Sequence, residues 1–215
     1  ELGKMQSLKS PELAIIESRI YAILGNLTKA ILVMEEHQTS FANHLSYNRR
    51  LGFLKQHLSM LEDGFAVKNL NSRRYVPEGG VIYLLHNSLP RHSGGYACRS
   101  HGLLTALLDL GIDIQPLTRY CYPWDLSDFR EHELLDHEIV DSVKYHRIFN
   151  SSGSSSSTGP YDYIHNYAKQ VIRHAQLNKS SIIHAASNHR NGLAAVVAAK
   201  NLEIPCIYEV RGFWE

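Results

Sequence analysis

The chain is poor in cysteine, with Cys98, Cys121 and Cys206 as its only thiols in 215 residues. Three scattered cysteines build neither a disulfide framework nor a cysteine-based zinc site, and they point to a reducing, cytosolic compartment. There is little imbalance of charge: 22 Lys and Arg against 21 Asp and Glu leave a net charge of +1. That gives no general pull toward nucleic acid or an anionic membrane. No apolar run is long enough to span a bilayer, and no basic segment followed by an apolar stretch marks a secretory leader. The nucleotide motifs G-x-G-x-x-G and Walker A are missing, as is the G-x-S-x-G elbow of hydrolases. A dinucleotide dehydrogenase is further disfavoured because the second strand runs into Arg119-Tyr120 rather than a ribose-binding acid. His132 and His137, five apart in His132-Glu133-Leu134-Leu135-Asp136-His137, are spaced one residue too widely for the H-E-x-x-H zinc helix, so no metal site is expected.

What is present falls into two parts. Residues 1–76 read as a helical segment, a hairpin of two amphipathic helices. Ser10-Pro11-Glu12 is a helix start: N-cap, proline at the first helical position, acid in the first turn. Leu13, Ile16, Ile20, Ile23, Leu27, Ala30 and Met34 recur at spacings of three and four, with Gly25 the weak point. Leu51, Leu54, Leu58, Leu61 and Phe65 form the second stripe. Such a hairpin packs on itself or on the next domain. Its alternative uses are as an oligomerisation surface, making a homo-oligomer, or as a peripheral contact at the inner membrane face.

From 77 onward the pattern changes to alternating strand and helix. Pro77-Glu78-Gly79-Gly80 is turn chemistry at the boundary. Strands are expected at 81–86, 112–120, 181–186 and 205–210, with an edge or extra strand within 138–149. Helices are expected at 95–110, closed by Gly111, and at 160–176 and 192–201. This implies an α/β fold: a Rossmann-like parallel sheet with flanking helices over 77–215. Residues 151–159, nearly all serine and glycine, read as a surface loop. The chain stops on an apolar strand that runs into Arg211-Gly212, with no covering helix after it, as though half of a larger enzyme.

Several groups sit where chemistry is expected. Ser93-Gly94-Gly95 follows the first strand and opens a helix, where glycine permits close approach and a helix start favours phosphate. A simple strand-to-helix turn reads equally well from that pattern. His184 is placed at the mouth of its strand, facing the same edge, as a sugar or phosphate contact or proton carrier. A half-buried histidine is the plain alternative. Asn188-His189-Arg190-Asn191-Gly192 opens the next helix, with Asn188 a cap or ligand contact and Arg190 an anion contact. Arg91, His92 and Arg99 flank the Gly-Gly turn. Glu209 and Arg211 end the last strand.

Three ordered blocks resemble the N-terminal domain of glycosyltransferase family 4. They are His86-Asn87-Ser88-Leu89-Pro90-Arg91-His92-Ser93-Gly94-Gly95-Tyr96-Ala97-Cys98-Arg99-Ser100-His101-Gly102, then Arg119-Tyr120-Cys121-Tyr122-Pro123-Trp124-Asp125, then the run from His184 through Asn191-Gly192 and Ile204-Pro205 to Glu215. Together they span roughly residues 81–215. The resemblance implies one half of a GT-B fold, in which two Rossmann-like domains face each other across a cleft. It implies a retaining, nucleotide-sugar-dependent transferase acting on a glycan or lipid-linked hydroxyl, without a metal or other cofactor. By the same resemblance Gly94, Gly95 and Ser93 approach the donor diphosphate, with Arg211 as a further donor contact. His184 would match the family's catalytic histidine at the cleft, and Glu209 is a cleft-side candidate; Arg91, Arg99 and Asn188, from their positions beside the turns, join Glu209 as acceptor-side candidates. The family's donor-binding C-terminal domain, with its Arg/Lys pair and E-x7-E motif, has no counterpart here. The 215 residues are therefore expected to be inactive alone, with that missing domain as a partner. A non-catalytic sugar- or nucleotide-binding or interaction module is the alternative.

Overall fold

The computed structural model describes residues 10–62, 74–133, 135–149 and 159–212. Phe65, the serine segment 151–158 and the terminal Phe213-Trp214-Glu215, each used above, lie outside them. The chain divides into two compact units, one of residues 1–66 with 159–161, the other of 67–158 with 162–215.

Among the described residues the first unit has three helices rather than a two-helix hairpin: α1 (Pro11–Ile23), α2 (Leu27–Glu35) and α3 (Leu45–Glu62). Ser10 caps α1 as expected, its Oγ accepting from the Leu13 amide at 3.3 Å. Gly25, at φ +78°, ends the first helix. Asn26 restarts the chain by accepting from the Lys29 amide at 2.9 Å. The break resets the helical phase. Leu27, Ala30 and Met34 then face the core, while Leu13, Ile16, Ile20 and Ile23 stay 50–85% exposed. The stripe is thus split at Gly25, its second half buried and its first half exposed. Small Ala14 and Ser18 are the buried residues of α1, Ala14 in one cluster with Tyr47, Leu51 and Leu54 of α3 and Ser18 accepting from Arg50 of α3 at 3.4 Å. The Tyr47 hydroxyl donates to the Met34 carbonyl, which satisfies a buried polar group in that core.

The second unit is α/β, with a six-stranded, mostly parallel sheet. Its elements are β1 (Val81–Leu85), α4 (Gly95–Asp109), β2 (Ile114–Thr118), β3 (His137–Val140), β4 (Val143–His146), α5 (Pro160–Asn178, belonging here from Asp162), β5 (Ile182–Ala186), α6 (His189–Leu202) and β6 (Cys206–Glu209). The order across the sheet is β3-β4-β2-β1-β5-β6, and every pair is parallel except β3 with β4. The single edge strand expected within 138–149 is thus a hairpin. Asp141 and Ser142 both take positive φ, as a two-residue turn of this kind requires. Asp-Ser is weaker turn chemistry than Asn-Gly, which hid the reversal in the sequence.

Gly80 sits just before β1 at φ +76°. A Cβ there would lie 2.5 Å from Asp113 Oδ2, so both backbone and packing demand glycine. Gly111, at φ +74°, follows α4 where a left-handed residue ends a helix.

Helices lie on both faces. Successive residues of β6 point opposite ways: Glu209 meets Arg99 of α4, whereas the Tyr208 ring lies against Gly192 of α6. On the α4 side Tyr83, Leu85, Leu104, Ile114, Val143, Tyr145 and Ala186 form one core. On the other, Tyr167 of α5 donates to Asn191 of α6 at 3.3 Å, and both are fully buried. The architecture is compatible with a Rossmann-like fold. No described helix is long and apolar enough to cross a membrane.

Candidate functional site

The sheet reverses direction of growth between β1 and β5. From β1 the chain moves outward to β2 and then β4; it returns through α5 to β5 on the other side and proceeds to β6. In open α/β sheets ligands bind at the carboxyl ends of the strands beside such a reversal. Here that edge is formed by His86-Asn87-Ser88 after β1, Arg119 to Asp125 after β2, Arg147 after β4, Ser187-Asn188 after β5 and Arg211 after β6. The starts of α4 and α6 flank it from opposite faces.

Gly94 is the N-cap of α4, with ordinary extended angles (φ −70°, ψ 166°) and no side-chain hydrogen bond. A Cβ at Gly94 or Gly95 would meet nothing within 4 Å. Neither backbone strain nor packing within the chain calls for these glycines, and their effect is to leave the helix start uncovered. Ser93 contributes its carbonyl, which accepts from Cys98 Sγ at 3.1 Å. Asn188 caps α6, its Oδ1 accepting from the Arg190 amide at 3.2 Å. Buried Asn191 fixes the same turn by donating to the Ala186 carbonyl at 2.9 Å.

His184 is not at the strand mouth. It is the middle residue of β5, paired in register with Tyr83 of β1 and stacked on its ring at 4.4 Å and 19°. Two further residues, about 6.6 Å of strand, separate it from the edge. The histidine anchors a network under the first turns of α4. Tyr83 donates to Glu209 Oε2 at 2.7 Å. Arg211 donates to the same oxygen at 2.9 Å, to Ser100 Oγ at 2.6 Å and to the Tyr83 hydroxyl. Arg99 takes Glu209 Oε1 at 2.9 Å. His184 Nε2 stands 3.6 Å from Glu209 Oε2.

Electrostatics orders this group. Burial raises the Glu209 pKa, but hydrogen bonds from Arg211 and Tyr83 and the charges of Arg211 and Arg99 outweigh it, and the carboxyl lies below its usual value. Burial pushes the His184 pKa down; the pull of Glu209 is opposed by Arg211 and does not reverse it. His184 is therefore a neutral ring at pH 7, and its contact with Glu209 is polar rather than an ion pair. Arg211, with a side chain only 3% exposed, is held charged by its bonds to Glu209 despite burial.

Of the residues singled out from sequence, His184, Glu209, Arg211 and Arg99 come together. Arg91 does not join them. It pairs with Glu138 of β3 at 2.7 Å, a carboxylate it shares with Arg147, whose side chain is fully buried. Arg147 also donates to Ser88 Oγ at 2.8 Å and clamps the loop after β1. Ser93, Gly94 and Gly95 open α4 and form none of these bonds.

Nearest the reversal stands a group of which sequence reasoning singled out only Arg190, as an anion contact, and gave His86, Arg119 and Asp125 no role of their own. Arg119 grips Asp125 with two prongs at 2.9 and 3.1 Å and donates to the His86 carbonyl. Its guanidinium lies 4.5 Å from the Tyr122 ring centre. Burial raises the Asp125 pKa, and the charges of Arg119 and Arg190 offset this only in part. Burial, with the positive fields of Arg119, Arg190 and His92, lowers the His86 pKa to about 4, which leaves a neutral imidazole at the end of β1. The Arg190 guanidinium stands 5.4 Å from the Tyr163 ring centre. The available signal for the other two was that His86 and Arg119 each stand directly after a strand's carboxyl end.

Among the described residues no group of three or more His, Cys, Asp or Glu is placed to hold a metal ion. No protein-family model matches the chain, and no curated protein and no solved structure is detectably similar to it.

Proposed function

We propose that the second unit is the acceptor-side half of a retaining, nucleotide-sugar-dependent glycosyltransferase that transfers a sugar to a glycan or lipid-linked hydroxyl. The observation that carries this reading is the reversal between β1 and β5, with an uncovered glycine helix start and an arginine-rich rim at one sheet edge. The sequence blocks that resemble glycosyltransferase family 4 fall on that same edge. In this reading the Gly94-Gly95 amides approach the donor diphosphate, a role suited to the start of a helix. In the same reading neutral His86, at the end of β1, contacts the acceptor hydroxyl. His184, inside the sheet, is a positioning residue that acts through Tyr83 and Glu209. Full activity requires a donor-binding domain across the cleft, and the reaction proceeds without a resident metal.

The test is nucleotide release by the longest natural form of the protein, supplied with UDP-, GDP- and ADP-sugars. Release from one donor, lost on Gly94→Val with the fold intact, is the expected result. A folded enzyme that releases nucleotide from no donor, with or without added acceptors, contradicts it.

The exposed stripe Leu13, Ile16, Ile20 and Ile23 on α1 favours a second reading, an interaction module that dimerises through its N-terminal helices. A mass that rises with concentration and falls on Ile20→Glu supports it; a monomer at all concentrations removes it.

A further inference from the structure

Among the described residues the carboxyl edge carries more arginines than carboxylates. Six arginines stand at or beside it, and they meet three carboxylates. Arg91 and Arg147 share Glu138. Arg99 and Arg211 share Glu209. Arg119 holds Asp125. Arg190 has no carboxylate within ion-pair distance among the described residues. The whole chain is nearly neutral, at +1, so this surplus is local.

Arg190 is also placed rather than merely solvated. It leaves the first turn of α6 on the face opposite α4, and its guanidinium lies over the ring of Tyr163. That ring is only 6% exposed and is tied by its hydroxyl to the Tyr120 carbonyl at 3.3 Å. The field of Arg190 reaches His86, Asp125 and Tyr163. Tyr163 in turn holds the carbonyl of Tyr120, the neighbour of Arg119, and Arg119 holds the His86 carbonyl and Asp125, so two cations, Arg119 and Arg190, stand with neutral His86 about one partly desolvated carboxylate. Like charges gathered in this way repel, and an anionic ligand relieves the repulsion. A planar guanidinium offers paired N–H donors that match phosphate oxygens.

We propose that this edge binds a phosphate-bearing acceptor, whose phosphate sits on Arg190 beside Arg119, His86 and Tyr163. The donor diphosphate would lie instead at Gly94-Gly95, on the α4 side. Assigning the phosphate to an acceptor rests on the transferase reading; its binding to Arg190 does not.

The experiment is titration of the full 215-residue chain at low salt with glucose 6-phosphate, glucose and UDP, followed by calorimetry and by amide shifts. Arg190→Gln and Arg190→Lys are run alongside, with thermal melts to confirm that the exposed substitutions leave the fold unchanged. Saturable binding of glucose 6-phosphate but not glucose is expected. Arg190→Gln should weaken it by about tenfold or more, as loss of a charged hydrogen bond does. Arg190→Lys, which keeps charge but loses the fork, should fall between. UDP should not displace the sugar phosphate. Equal affinity in Arg190→Gln, or no binding of glucose 6-phosphate, overturns the proposal. An Arg190-dependent UDP site with no sugar-phosphate binding overturns it too, by assigning the arginine to the donor. Arg190-dependent sugar-phosphate binding in a protein whose longest form consumes no nucleotide sugar would uphold the site and remove the transferase reading.

Discussion

Tyr83 and His184 occupy registered positions on neighbouring parallel strands, and their rings stack at 4.4 Å with 19° between planes. The stack sets the imidazole beside Glu209, and the Tyr83 hydroxyl bonds that same carboxylate. One tyrosine thus supports the histidine by its face and the acid by its edge. His184→Phe keeps the stack and loses the ring nitrogens, whereas His184→Ala loses both. In the longest natural form, turnover is expected to fall sharply in His184→Ala and to be largely kept in His184→Phe. Equal loss in both, measured as kcat against KM, would make the nitrogen itself part of the chemistry.

Glu209 balances Arg211, which is almost wholly buried. Glu209→Gln leaves that guanidinium without a full counter-charge and is expected to cost about 3 kcal/mol in urea unfolding. Removing both charges, as Glu209→Gln with Arg211→Met, should be less damaging than Glu209→Gln alone. If the double variant is the less stable of the two, the carboxylate is not what holds Arg211 in place.

Two glycines near the sheet differ in what they require. Gly80→Ala places a Cβ 2.5 Å from Asp113 Oδ2 at a left-handed φ and should destabilise by more than about 1 kcal/mol. Gly94→Ala introduces no contact within 4 Å and should leave the melting temperature nearly unchanged while weakening donor binding. A Gly94→Ala protein with normal donor affinity would separate this turn from the ligand.

Acid should destabilise the fold through its histidines. The pKa of His86 is lowered to about 4 by burial and then by Arg119, Arg190 and His92. That of His146 is lowered to about 4 by burial and then by His174, Lys144 and His137. An unfolded histidine titrates near about 6.5. Between that value and about 4 the unfolded chain binds more protons, so stability falls as pH falls across this window and levels off below it. His86 contributes up to about 3 kcal/mol and the more exposed His146 less, because solvent screens it; the raised Asp125 runs the other way. Urea midpoints at pH 7.5 and pH 5 test this; equal midpoints would show that these rings are not protonated on unfolding in that range.

Much of the second unit was legible because its signals are local. Val81–Leu85 and Ile182–Ala186 are short apolar runs between turn residues, and Gly111 ends a helix wherever it stands. Ser10 and Pro11 announced α1 for the same reason. The hairpin at Asp141-Ser142 was not legible, because its turn residues are ambiguous alone. The orientation of α1 was not legible either. Its apolar stripe and its small-residue side are equally regular, and the phase break at Gly25 settles which one α2 and α3 cover.

The candidate site divides along the same line. Sequence by itself determined which residues stand near strand ends and helix starts, Gly94, Asn188 and Arg211 among them, because backbone periodicity carries that information. Only the tertiary structure decided that Glu209 is shared by Arg99 and Arg211, that His184 lies inside the sheet under α4, and that Arg190 is left over beside His86. Those are relations between residues up to 110 positions apart. Strand order and register bring them into contact, and charge pairing across such distances leaves no periodic trace in the chain.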